Sequence, residues 1–258
     1  MLRVYLTGEL CITSEVGTIR ADRLTGRQGR LAFAFLAARR AHPVGRHELA
    51  ELLWTGSLPV AYEVALSAIV SKLRALLHEV GVGRDALVAE SSCYRLVLPG
   101  DAWVDIEAAV ESVHLAEAAL RAGEPAAAYG PAVVACAILR RPFLPAFDGP
   151  WIQSRRDVLR SNHLRALDCL AQIHAWNGEE SLALRAAREA VELEPYRESG
   201  YRRLMLLHEQ AGNSAEAVRL YERLRALLAK ELQTAPAEET QAVFRALGRA
   251  ARPGTDDQ

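Results

Sequence analysis

Apolar and polar positions along this chain follow two different rhythms. Over the first 24 residues they alternate in short β-prone runs, "RVYLTG", "ELCITS" and "VGTIRA", the first two broken at Gly8, which predicts three strands. The period then lengthens to that of a helix. "RQGRLAFAFLAARR" places Leu31, Phe35 and Leu36 on one face and ends in Arg39 and Arg40, where cations suit the helix dipole. "HPVG" stops it, and "RHELAELLW" supplies a short second helix with Leu49, Leu52 and Leu53 inward. Beyond the turn "TGSLPV", a third helix runs from Val60 to Gly81, its core stripe made by Leu66, Val70, Leu73 and Leu77. "LVAESSCYRLVLPG" then predicts a closing hairpin, Leu87–Ala89 and Tyr94–Leu98, around a small polar turn. Strands, three helices and a hairpin within 100 residues are the layout of a winged helix-turn-helix.

From Val104 the strand rhythm is gone. "VDIEAAVESVHLAEAALRAG" and "PAAAYGPAVVACAILRR" read as helices, "PFLPAFDGPW" as a Pro-rich turn, and Trp151 opens a long helix to about Trp176. The last part repeats itself: "WNGEESLALRAAREA" superposes on "AGNSAEAVRLYERL" at a shift of 34 residues, with Gly178 on Gly212, Ala183 on Ala217 and Leu184 on Val218. That period, with small residues where helices must approach closely, predicts tetratricopeptide-type hairpins. The expected fold is therefore mostly α: an N-terminal winged helix-turn-helix (α+β), residues 1–100, then an all-α tetratricopeptide-like array, residues 101–250, and a disordered tail, residues 251–258.

Composition narrows the function. The net charge of −1 hides an asymmetry: residues 1–100 carry 12 Lys/Arg against 9 Asp/Glu, and the remainder 19 against 23. The positive part is the one with the winged-helix pattern, the sign needed to meet phosphates. Cys11, Cys93, Cys136 and Cys169 form no CxxC pair or Cys/His cluster, which argues against zinc and disulfides and suits a reducing cytoplasm. No apolar run approaches a membrane span, and "MLRVYLTGELCI" lacks the pattern of a signal peptide. Phosphate loops, GxGxxG, HExxH and GxSxG are absent and the seven histidines are scattered, so neither an enzyme nor a cofactor is expected. Trp54, Trp103, Trp151 and Trp176 are expected to pack the junctions between elements.

The third helix carries the sharpest chemistry. Opposite its core stripe lie Glu63, Ser67, Ser71, Arg74 and His78, flanked by Ala68, Ile69 and Lys72. Lys or Arg there can bond guanine or a phosphate, Ser either base edges or phosphate oxygens, and an outward Ile69 can meet a thymine methyl group. An ordinary amphipathic helix with a few solvated charges would show the same spacing.

The neighbours add a resemblance. "GRQGRLAFAFLAARRAHPVGRHELAELLWTG", "ALSAIVSKLRALL" and "LVAESSCYRLVLP" resemble the OmpR-type winged-helix domain. "VDIEAAVESV", "PFLPAFDGPWIQSRRDVLR", "GYRRLMLLHEQAGNSAEAVRLYERLRALLAKEL" and "PAEETQAVFRAL" resemble the bacterial transcriptional activator domain. In that order, over roughly Leu2 to Leu247, they resemble the Streptomyces antibiotic regulatory protein (SARP) family, in a two-domain version without the ATPase module of longer relatives. The resemblance implies a cytoplasmic activator that binds direct repeats in double-stranded promoter DNA, helps recruit RNA polymerase and forms a homodimer through its second domain, with no membrane partner. "VSKLR", Val70 to Arg74, matches the family's recognition helix and "YRL", Tyr94 to Leu96, its wing. The implied DNA-binding residues are Ser67, Ala68 and Ile69 at base edges and Ser71, Lys72, Arg74 and Arg95 as anchors. Arg27 and Arg30, near the start of the first helix, are placed for phosphate contacts.

Three departures stand out. Ser67, Ala68 and Ile69 occupy positions that are polar or aromatic in relatives. Cys93 replaces a turn glycine, so a positive φ is expected to be costly there. Gly45 stands where a Ser cap is usual. They leave open a second reading, a protein-interaction module whose winged helix no longer reads DNA and whose helical array binds a partner.

Overall fold

The computed structural model describes residues 1–24 and 26–250, so the expected tail at 251–258 lies outside the described residues. Packing divides the chain into two compact units, Met1–Glu111 with Ala137–Leu159, and Ser112–Cys136 with the residues from Arg160 onward. The first unit thus takes in segments beyond Gly100.

In the first unit the alternating N-terminus forms β1 (Arg3–Tyr5), β2 (Cys11–Thr13) and β3 (Thr18–Arg20). Val4 pairs with Ile12 and Ile12 with Ile19, so each strand contributes one fully buried β-branched residue to a single row. The sheet gains a strand that the sequence did not announce: β7 (Trp103–Val104) lies parallel to β1, with Val104 opposite Val4. Two residues are too few for any period to register.

Helices α1 (Gly26–Ala38), α2 (Arg46–Leu53) and α3 (Tyr62–Glu79) follow where the helical spacing predicts. The hairpin β5 (Leu87–Glu90) and β6 (Cys93–Leu96) is completed by a further two-residue strand, β4 (Val44–Gly45), giving the order β4-β6-β5. The strain in this hairpin is not at Cys93, which pairs with Glu90 within the ladder, but at Ser91 and Ser92, with φ of 45° and 66°. Two positive φ values in a two-residue turn are the requirement of the type I′ hairpin, which Asn-Gly satisfies and serine does not. The paired substitution S91N/S92G is expected to stabilise the unit by about 1 kcal/mol, raising the midpoint of thermal unfolding by a few degrees. Gly45 does cap α2, with no side-chain bond and a φ of −60° that any residue adopts. A Cβ there would sit 3.8 Å from that of Glu48. Gly45→Ser should therefore complete a capping box with Glu48 and add about 0.5 kcal/mol, readable in denaturant unfolding.

The Pro-rich segment after residue 141 joins this unit through the residues just after β1. Gly8 N donates to Pro142 O, Leu144 N to Leu6 O, and Thr7 bridges Phe143. Arg156 holds the segment's shape by donating to the carbonyls of Phe143, Leu144 and Phe147. Trp151 packs edge-on against Phe35 and Phe143, with centroids at 4.8 and 5.7 Å, and Trp103 against Tyr5 at 5.3 Å.

Among the described residues, seven helices follow: α4 (Asp105–Arg121), α5 (Pro125–Leu139), α6 (Pro150–Trp176), α7 (Glu180–Leu193), α8 (Glu198–Gln210), α9 (Ser214–Leu232) and α10 (Glu238–Ala250). The second unit shows the 34-residue repeat in its hydrogen bonds. Glu179 N donates to His174 O and Asn213 N to His208 O, both at 2.8 Å. Gly178 and Gly212 turn these corners with φ of 73° and 71°, a conformation costly to a residue with a Cβ. Ala183 and Ala217, equivalent in the repeat, are both fully buried. Trp176 corrects an expectation: at 62% exposure it packs no junction, because it stands at the last residue of α6, beyond the apolar stripe.

Candidate nucleic-acid interface

The predicted recognition helix, α3, buries Leu66, Val70, Leu73 and Leu77 and leaves Ser67, Ala68, Ser71 and Lys72 exposed along one side. These four outward residues are short or cationic, so the helix can approach a groove without a bulky side chain in the way. Ile69 lies elsewhere than expected. It is partly buried and packed against the core, because its position beside Leu66 and Val70 turns it toward apolar neighbours.

Arg74 is half-buried, its Nε donating to Leu87 O at 2.9 Å. It ties α3 to the first strand of the wing. Arg95 stands exposed on β6 opposite Val88, between the inward Tyr94 and Leu96, as the alternation of a strand requires. It borders a concavity of about 320 Å³ on the hairpin, with Pro43, Glu90 and Ser91. A second concavity, of about 370 Å³, runs along α3 past Ser71, Arg74 and His78.

Arg27 and Arg30 are not brought to this surface. The Arg27 guanidinium sits 5.0 Å from the Phe147 ring centre and donates to Ala146 O, and the Arg30 guanidinium lies 5.9 Å from the same ring. Both are engaged by the Pro-rich segment through cation–π contact. Other cations of the unit are paired with acids: Arg20 with Glu9, Arg23 with Glu79, Arg39 with Glu48 and Arg40 with Glu107. Lys72 and Arg95 make no ion pair among the described residues.

One further residue belongs with the wing. Arg46, the first residue of α2, donates its backbone N–H to Ser92 O and lays its guanidinium 5.3 Å from the Tyr94 ring centre. The sequence offered only its place at a helix start as a clue. Among the described residues, no cluster of His, Cys, Asp and Glu could hold a metal, and no helix is long and apolar enough to cross a membrane. All four cysteines are unbridged.

Residues 104–247, more than half of the chain, match the family described as "Bacterial transcriptional activator domain". The chain belongs to that family. Two relatives that it matches are transcriptional regulators of the SARP type. The transcriptional regulatory protein MoaR1 of Mycobacterium tuberculosis is 27% identical over 225 residues, covering 83% of this chain and 70% of MoaR1. The regulatory protein AfsR of Streptomyces griseus is 28% identical over 239 residues, 89% of this chain but only 23% of AfsR. A solved structure, Mycobacterium tuberculosis EmbR in complex with a low-affinity phosphopeptide, superposes with a TM-score of 0.88 at 24% identity, covering 96% of this chain and 65% of that one. That match shows the fold, a winged helix followed by a helical array. The family match begins at Val104, one residue before Asp105, which is fully buried and accepts from the backbone just after β1.

Proposed function

We propose that this protein is a DNA-binding transcriptional activator of the cytoplasm. In this reading, residues 1–100 bind double-stranded promoter DNA through α3 and the wing, and residues 101–250 form the activating array. The observation that carries the proposal is the exposed side of α3, where Ser67, Ala68, Ser71 and Lys72 stand outward with an unpaired cation, matched by Arg95 on the wing. Ser67 and Ala68 meet base edges, while Ser71, Lys72 and Arg95 contact phosphates or guanine. Ile69 adds at most an apolar edge. Arg74 acts by fixing the angle between helix and wing, and Arg27 and Arg30 by holding the Pro-rich segment. Val60 and Val64, exposed where α3 begins, offer an apolar surface to a protein such as RNA polymerase. Two copies on repeated half-sites would act as a homodimer.

Selection of fragmented genomic DNA on the purified protein at two salt concentrations tests this. Enriched fragments should share a repeated motif, and enrichment should fall at the higher salt. Well-folded protein that enriches nothing at low salt would favour the interaction-module reading instead.

A further inference from the structure

Where the end of α1 meets the first turns of α6 within the first unit, there is a concavity of about 540 Å³ lined by Arg39, His42, Trp151, Ser154, Arg155 and Glu107, among others. Its volume falls in the range of small-molecule sites. The charges around it do not balance. Arg39 is paired with Glu48, and both oxygens of Glu107 are held by Arg40 at 2.6–3.1 Å. Arg155 is half-buried and, among the described residues, has no acid within ion-pair distance, although its neighbour Arg156 donates to three carbonyls and to Asp148. Burial, and then the positive charge of Arg39, lower the proton affinity of Arg155, the reverse of what a counterion would do. A partly desolvated guanidinium lining the same concavity as a second guanidinium is an unfavourable arrangement that an oxyanion would relieve. Ser154 adds a hydroxyl on the same wall, and Trp151, anchored by Phe35 and Phe143, supplies an apolar one.

We propose that this concavity is a binding site for a small organic phosphate, its oxyanion held by Arg155, Arg39 and Ser154 and its organic part against Trp151. The inference stands apart from DNA recognition, since it uses neither α3 nor the wing. Adenosine monophosphate and inorganic phosphate serve as probes in calorimetric titrations of the full chain at low ionic strength. Wild type should bind the nucleotide more tightly than phosphate. Arg155→Gln should weaken nucleotide binding about tenfold or more, Arg155→Lys less, and Lys72→Ala not at all. Ser154→Asp, at an exposed position, should abolish binding by repulsion without removing any packing. The proposal is overturned if folded wild type binds no nucleotide at about 10 mM, or if Arg155→Gln and Ser154→Asp bind as wild type does. Equal affinity for free phosphate would overturn the organic ligand. Loss of DNA affinity in Arg155→Gln, with no nucleotide bound by wild type, would assign the site to a nucleic-acid backbone and overturn it equally.

Discussion

Replacing Asp105 with alanine is expected to destabilise the first unit by about 3–5 kcal/mol. The carboxylate has no solvent exposure and accepts the backbone N–H groups of Leu6 (3.0 Å), Thr7 (2.9 Å) and Ile106 (2.8 Å) and the Thr7 hydroxyl (2.7 Å). Its ion pair with Arg141 is long, at 3.9 Å, so the shorter hydrogen bonds do most of the holding. Alanine would leave the Leu6 and Thr7 donors buried without acceptors, each costing about 1–3 kcal/mol. The loss falls where β1 ends and α4 begins, so it uncouples the N-terminal sheet from the first helix of the activator domain. A thermal melt should show the midpoint lowered by roughly 10 °C or more. Thr7→Val, which removes only the hydroxyl, should cost about 1 kcal/mol. If Asp105→Ala melts no lower than Thr7→Val, the carboxylate does not organise this corner.

The second large effect concerns DNA. Lys72→Glu is expected to abolish sequence-specific binding while leaving the fold intact, because Lys72 is exposed and makes no ion pair among the described residues. Lys72→Ala and Arg95→Ala should each weaken binding to all sequences alike and flatten the plot of log affinity against log salt by about one unit. Substitutions at Ser67 or Ala68 should instead change which sequences are preferred, by about 1–3 kcal/mol per altered base contact. Arg74→Ala separates direct contact from positioning: loss of its bond to Leu87 O should lower stability as well as affinity. Measured by fluorescence anisotropy over a salt series, an unchanged slope in both Lys72→Ala and Arg95→Ala would remove the basis for the proposed interface.

Position in the chain explains which parts of this protein were legible in advance. The inward stripe of α3, the three N-terminal strands and the 34-residue repeat are encoded by spacing between near neighbours. Leu66, Val70, Leu73 and Leu77 share a face because a helix turns every 3.6 residues, whatever surrounds it. The exposure of Ser67, Ala68, Ser71 and Lys72 follows from the same geometry. Ala183 and Ala217 recur at the same place in each repeat, and both are fully buried.

Partners distant in sequence set everything else. Arg27 and Arg30 look like free cations until Phe147 reaches them, and Arg74 looks like a groove contact until Leu87 presents its carbonyl. The strained residues of the wing are Ser91 and Ser92 rather than Cys93, because the pairing of Glu90 with Cys93 decides which two positions must turn. "VDIEAAVESV" marks the family, yet nothing in it says that Asp105 will be buried under the backbone of Leu6 and Thr7. Nor does any local pattern place Arg155 beside Arg39. The sequence alone determined the longer elements and the main apolar stripe each one buries, because those depend on the period of the backbone, whereas the two-residue strands β4 and β7 form only where a partner strand meets them. The tertiary structure alone decided which charges are neutralised and which remain free to act, because electrostatic and hydrogen-bond energies depend on distances that only the folded chain sets.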